Sequence, residues 1–205
     1  PMKTISYLII SFLFLSLTTS AAQKESNEKT FKSYPVRKLT IEPAIGLNPY
    51  PMSDLVISNL MQYNIKKRLS FTMHSSYTYN NAFLREFNHV RTNYNYSLGQ
   101  KFGIGTSIYA KRSSHTFSLM AGIKYDAFKE TFDHPEFESV SASVSSLSPD
   151  FGIMYNLKIG VKKMYFSYRM YIPLYPYPFL TSDSYAVDAN LANVSMEFGV
   201  GIRLK

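Results

Sequence analysis

From residue 37 to residue 204 the chain alternates apolar or aromatic side chains with small, polar or charged ones. The alternation comes in segments of about ten to twelve residues. Successive side chains of an extended strand point to opposite faces, so this period writes two different surfaces onto one sheet. In the first segment Leu39, Ile41, Pro43, Ile45 and Leu47 share one side, with Lys38, Thr40, Glu42, Ala44 and Gly46 on the other. Further on, Leu69, Phe71, Met73, Tyr77 and Tyr79 oppose Ser70, Thr72, His74, Ser76 and Thr78. The last segment sets Val194, Met196, Phe198, Val200, Ile202 and Leu204 against Ser195, Glu197, Gly199, Gly201 and Arg203. A helical chain would instead repeat its apolar positions every three or four residues.

A soluble sandwich alternates as well, with its apolar face inward. Three features turn the reading toward a membrane barrel. The segments approach the 9–11 residues of a tilted transmembrane strand and exceed the 5–6 usual in soluble sheets. Aromatic residues, supplied by 17 Tyr and 15 Phe with no Trp, recur near segment ends, where an interfacial girdle would stand. The chain also opens on an export signal and contains no cysteine. The expected fold is all-β: an antiparallel up-and-down transmembrane β-barrel with its apolar face toward lipid.

Strands are expected near 37–47, 54–65, 69–80, 90–98, 102–111, 115–128, 137–146, 151–158, 163–172 and 191–204, which makes ten. The segment 137–146 carries little apolar bulk; if it and a neighbour are loop, the count is eight. A short motif (Tyr, a small polar residue, an aliphatic residue, then basic residues) recurs around Tyr63–Leu69, Tyr96–Phe102 and Tyr155–Lys158. It reads as a tight periplasmic turn, while the irregular stretches 81–89 and 173–190 read as external loops.

Residues 1–22 read as a cleaved signal peptide. Lys3 is its positive end, Ile5 to Leu17 its short apolar core, and Ser20 and Ala22 the small residues before the cut. Residues 23–36 read as a flexible periplasmic lead-in and 37–205 as the barrel. The formal charge is +8, and export argues against nucleic acid as the counterpart. Basic residues such as Lys66, Lys67, Arg68, Lys101, Lys111, Arg112, Lys162 and Lys163 cluster at expected strand ends, where long cationic side chains reach headgroup phosphates. The absence of cysteine excludes a lipoprotein anchor, disulfides and thiolate metal sites. No cofactor is implied.

The alternation, the repeated turn shape and the ending Phe198-Gly-Val-Gly-Ile-Arg-Leu-Lys205 together resemble the small outer-membrane β-barrel superfamily, of the outer membrane protein beta-barrel domain type, over residues 37–205. In such families the closing strand is read by the barrel-assembly machinery and usually ends on an aromatic residue; here it ends Leu204-Lys205. The resemblance implies a cell outer membrane of a gram-negative bacterium. Its implied partners are outer-membrane lipid and lipopolysaccharide, the assembly machinery during biogenesis, and another outer-membrane protein complex.

With the apolar face outward, the lumen receives Lys38, Glu42, His74, Arg91, Lys124, Asp126, Lys158, Arg169, Glu197 and Arg203. Charges enclosed in a narrow barrel must be paired and hydrogen-bonded, because an isolated one is too costly to desolvate. Glu42 or Glu197 is expected to meet Arg203 or Arg169. Such a network serves either as a polar core or as the gate of a narrow ion path. Tyr171, Pro173, Tyr175, Pro176, Tyr177, Pro178 and Phe179 form an aromatic, proline-interrupted stretch. That stretch reads as a rigid ledge at the outer rim for a partner, or as a girdle running into a stiff loop.

Catalytic constellations are weak. His74 and Ser76 have the spacing of a His-x-Ser lipid hydrolase but fall on the lumen face, and sequence places no Glu beside the His. His115 follows Ser113-Ser114, Asp183 and Asp188 lack a neighbouring His, and His89 and His134 sit in loops. The chain therefore reads as a non-enzymatic structural or accessory barrel, with a narrow passive pore as the alternative and a lipid-modifying enzyme as the remaining class.

Overall fold

The computed structural model describes residues 34–47, 54–66, 68–80, 86–87, 89–175 and 194–204. Nine strands follow in chain order: β1 (Leu39–Leu47), β2 (Leu55–Asn64), β3 (Leu69–Tyr79), β4 (Glu86–Phe87), β5 (Val90–Tyr109), β6 (Ser113–Phe132), β7 (Val140–Ile159), β8 (Met164–Tyr175) and β9 (Ser195–Arg203). Every pairing is antiparallel. β9 pairs with β1, and β3 pairs with β5, which closes the sheet into an eight-stranded barrel. β4 is a two-residue addition that pairs only with the start of β5.

The count is eight, the lower of the two expected. Segments 90–98 and 102–111 are one strand, as are 137–146 and 151–158. The residues between the first pair, Gly99-Gln100-Lys101, do not turn; they pair with Ser76, Ser75 and His74 of β3. Gly99 is there for space, since a Cβ on it would lie 2.6 Å from the Ser76 hydroxyl. The joint in β7 contains Pro149, which gives the ladder no N–H. It lies beyond the last β7–β8 pair, Phe151–Tyr175, so the missing donor can face a flank that β8 does not cover. The motif around Tyr96 is therefore mid-strand, whereas those around Tyr63 and Tyr155 do run into turns.

The connections 65–68, 110–112 and 160–163 lie at the end of the barrel where β1 begins and β9 finishes; β1, β3, β6 and β8 finish, and β2, β5, β7 and β9 begin, at the other. Gly160, at φ +125°, makes the 160–163 turn possible. Tyr34, within the stretch read as a lead-in, is buried and stacks on Tyr109, so ordered packing starts ahead of residue 37.

Side-chain direction follows the sequence period. Leu119 is 67% exposed and Ile45 64%, whereas Glu42 is 0% and Arg169 1% exposed. A soluble sandwich would show the reverse, so the apolar face is the outer wall and the polar face is the interior. No helix among the described residues is long and apolar enough to cross a membrane, which has no bearing on strands.

Candidate functional site

The interior is a stack of charged groups joined across the barrel axis. At the turn end Arg203, near the end of β9, lies between two aromatic rings, 4.8 Å from the Tyr34 centroid and 4.3 Å from that of Tyr165. Its guanidinium donates to the Tyr34 hydroxyl, to the Lys162 carbonyl and, at 2.7 Å, to the Gly160 carbonyl. A planar, multiply donating cation is suited to tying strand β9 to the 160–163 turn in this way.

Above it, Glu42 of β1 receives Lys158 of β7 at 2.6 Å. The Tyr165 hydroxyl donates to the same carboxylate at 2.7 Å and Asn156 Nδ2 at 3.0 Å. Lys158 also donates to Thr40 Oγ1 at 3.0 Å. Next, Arg169 of β8 sits 3.0 Å from Glu197 of β9 through Nε. It donates to Ser58 Oγ at 3.0 Å and to the Glu42 carbonyl at 3.1 Å. Ser58 donates to Glu197 at 2.5 Å, and His74 Nε2 lies 3.3 and 3.4 Å from its two oxygens. Farther along, Lys101 of β5 pairs with Asp150 of β7 at 2.9 Å. Tyr171 donates its hydroxyl to Asp150, and Lys101 Nζ stands 4.4 Å from the Tyr171 ring centroid. Lys124 and Asp126, both on β6, pair at 3.2 Å.

Apolar side chains fill what the charges leave: Leu60, Met120, Met154 and Tyr171 form a buried cluster within the barrel. Glycines on neighbouring strands leave room for Met120, Tyr171 and the nearby Tyr165. A Cβ on Gly201 would collide with the Tyr165 ring, one on Gly152 with the Tyr171 ring, and one on Gly103 with Met120 Sδ.

Of the charges assigned to the lumen from sequence, Glu42, Lys124, Asp126, Lys158, Arg169, Glu197 and Arg203 face inward and are paired or hydrogen-bonded. Arg91 does not join them. The β5–β6 register shifts between Thr92 and Tyr94, and the extra residue returns Arg91, opposite Thr131, to the outer face, where it is exposed. Lys38 is exposed at the turn end. Tyr171 is buried inside, not on an outer ledge, and Pro173 lies within β8, which passes a bulge at Phe151–Gly152 to end at Tyr175. The side chain of Tyr175, and Pro176, Tyr177, Pro178 and Phe179, lie outside the described residues, as do residues 1–33, Asp183 and Asp188.

Lys101, expected at a strand end facing headgroups, lies instead in the middle of β5 with its side chain buried in the lumen against Asp150. Sequence reading missed Asp150 and Tyr165, and the contact of His74 with Glu197. The inward direction of Lys101 was discoverable: the exposed Leu98, Phe102 and Ile104 keep one unbroken alternation through it. The His74–Glu197 contact links strands β3 and β9, which are not neighbours in the sheet, and no local pattern carries it. Two histidine readings also change. His89 and His134 stack edge to face with centroids 4.6 Å apart. His115 is hydrogen-bonded to the Tyr155 hydroxyl at 2.8 Å and to Ser113 Oγ at 3.3 Å on the outer wall. Among the described residues no group of three or more His, Asp or Glu is placed to hold a metal ion.

This arrangement defines a closed eight-stranded antiparallel β-barrel with a polar, cross-linked interior and an apolar exterior. No family model matches the chain, and no curated protein matches it. Among solved structures it is similar to the N-terminal β-barrel domain of Pseudomonas aeruginosa OprF. The two are 8% identical with a TM-score of 0.44, over 83% of this chain and 98% of that one.

Proposed function

We propose that the chain is an integral outer-membrane β-barrel with an occluded lumen, which acts as a structural or accessory subunit through its loops and outer wall. The observation that carries this reading is the pairing of an apolar exterior with interior bridges that join distant strands. Glu42 of β1 meets Lys158 of β7, and Glu197 of β9 meets His74 of β3. An exterior of Leu, Ile and Phe is unfavourable in water over an area this large, whereas lipid accepts it. Barrels of eight strands have interiors just wide enough for side chains to fill, and here Arg169, Phe128, Leu60, Met120 and Met154 are fully buried in that space.

The short turns mark the periplasmic end and the long connections the outer face, where lipopolysaccharide or a neighbouring membrane protein is met. Assembly by the barrel-folding machinery belongs to the same reading. Planar-bilayer recording of the refolded protein tests the occluded lumen: it yields no discrete steps, whereas a narrow pore gives them. Cross-linking in native membranes, followed by identification of what travels with the barrel, tests the accessory role. A chain that crosslinks to no protein at native abundance would refute it.

A further inference from the structure

The turn end carries one sign of charge. Lys66 and Arg68 in the first turn, Lys111 and Arg112 in the second, and Lys162 and Lys163 in the third are all exposed. Arg37 and Lys38 add two more cations where the chain enters β1. No Asp or Glu occurs in 34–38, 65–68, 110–112 or 160–163. The opposite end holds the acids Asp54, Asp133, Glu136 and Glu138 in or beside its connections.

The cations border exposed apolar residues of the outer wall. Ile65 precedes Lys66 and Leu69 follows Arg68, while Val161 and Met164 bracket Lys162 and Lys163. Just inside the second turn, Ser113, His115 and Tyr155 form a hydrogen-bonded polar group on that same wall. Polar groups there fit the level at which hydrocarbon gives way to headgroups. Between the lead-in and the third turn an open pocket of about 440 Å³ is lined by Arg37, Lys162, Lys163, Pro35, Val161 and Leu204. A single phosphodiester headgroup fits a space of this kind.

We infer that this end is a docking surface for acidic glycerophospholipid headgroups in the leaflet on the turn side. The inference rests on the membrane-spanning reading above and adds the class of lipid it selects. An acidic protein or wall polymer would also answer the charge, but neither accounts for the exposed apolar residues that flank the first and third basic turns. A phospholipid supplies phosphate and hydrocarbon together. Cations near an acidic bilayer surface are drawn to it, and the attraction fades within a Debye length, so the selectivity must be salt-sensitive.

The test uses the full chain refolded in detergent with equimolar phosphatidylglycerol and phosphatidylethanolamine, read by native mass spectrometry. The unaltered protein retains phosphatidylglycerol over phosphatidylethanolamine by about tenfold. The preference collapses toward one in high salt and in the variant Lys66→Gln, Arg68→Gln, Lys111→Gln, Arg112→Gln, Lys162→Gln and Lys163→Gln. If that variant loses its compact, heat-modifiable gel band, the pairs Lys111→Gln with Arg112→Gln and Lys162→Gln with Lys163→Gln replace it, each expected to lower the ratio at least twofold. An unaltered protein without preference, or variants that keep it, overturns the inference. So does binding to purified peptidoglycan that depends on the same six residues in the absence of any lipid preference. Flotation with neutral phosphatidylcholine vesicles separates the two readings. Failure to float sinks the membrane assignment itself, whereas flotation without selectivity sinks only the headgroup site.

Discussion

Replacing Glu197 by Gln keeps the shape of the side chain and removes one charge from the centre of the lumen. Arg169, 1% exposed, then keeps its hydrogen bonds to Ser58 and to the Glu42 carbonyl but loses its counter-ion at 3.0 Å. It cannot turn to the Glu42 carboxylate for compensation. That carboxylate is already held by Lys158, Tyr165 and Asn156 at 2.6 to 3.0 Å. Breaking one partner of a buried pair in this manner costs about 3–5 kcal/mol. Removing both, as Arg169→Met with Glu197→Leu, leaves no orphan charge and costs far less, because an apolar replacement of a buried pair is often neutral. The expected outcome is a single variant destabilised by at least about 3 kcal/mol and a double variant that recovers most of it. The assay is urea unfolding of the refolded barrel in vesicles, followed by far-UV circular dichroism, since the chain has no Trp to report by fluorescence. A Glu197→Gln variant within about 1 kcal/mol of the unaltered protein, or a double variant worse than the single one, would refute a working ion pair at this position.

Leu119, 67% exposed on β6, is the probe of the outer wall. Six residues from Ser113, it stands about 14 Å from the turn end for a strand tilted near 45°. Leu119→Lys should cost about 2–4 kcal/mol in vesicles, as for a cation at the bilayer midplane, measured by the same unfolding curve; a soluble fold would tolerate it. Gly201→Val drives a branched side chain into the Tyr165 ring and should cost about 1–3 kcal/mol, with Gly201→Val/Tyr165→Ala recovering part of it. Tyr171→Phe removes the hydroxyl that Asp150 accepts while Lys101 still neutralises the carboxylate. It should therefore cost only about 1 kcal/mol. Replacing Tyr175 and Tyr177 by Ser tests the proline-rich stretch as a partner ledge: co-purification of partners in detergent falls if the ledge is used.

The wall direction was legible because it depends only on parity. Leu39, Ile41 and Ile45 against Thr40, Glu42 and Ala44 need no tertiary information to sort. Strand ends were harder to read, because the residues that mark turns also serve as small lumen residues. Gly99 beside a Lys looks like a hairpin, yet it leaves room for Ser76 and Lys101 inside a twenty-residue strand. Pro149 looks like a terminator, yet it lies beyond the β7–β8 ladder, where the missing donor is tolerated. Arg91 was misplaced by a single inserted residue, since parity carries no memory across a bulge. Which acid would meet which base was legible only in part. Glu197 with Arg169 follows from adjacent strands, but Glu42 with Lys158 and Glu197 with His74 are chosen by the closed geometry of the barrel.

The charged interior also solves a problem of register that an apolar one would not. If both faces were greasy, sliding β8 by one residue against β7 and β9 would exchange Arg169 and Tyr165 for Tyr168 and Phe166 at little cost. With the observed sequence the same slip flips every side chain of the strand, putting Arg169 into hydrocarbon and leaving Glu197 without its guanidinium and Asp150 without the Tyr171 hydroxyl. A cation on the lipid face near the midplane costs about 2–4 kcal/mol, and a buried carboxylate that has lost its guanidinium adds a further penalty. An ion pair that contributes little to net stability can therefore contribute strongly to having one register. It follows that Arg169→Met/Glu197→Leu, nearly neutral in unfolding free energy, should show its damage elsewhere, as slower refolding or a second folded band on the gel.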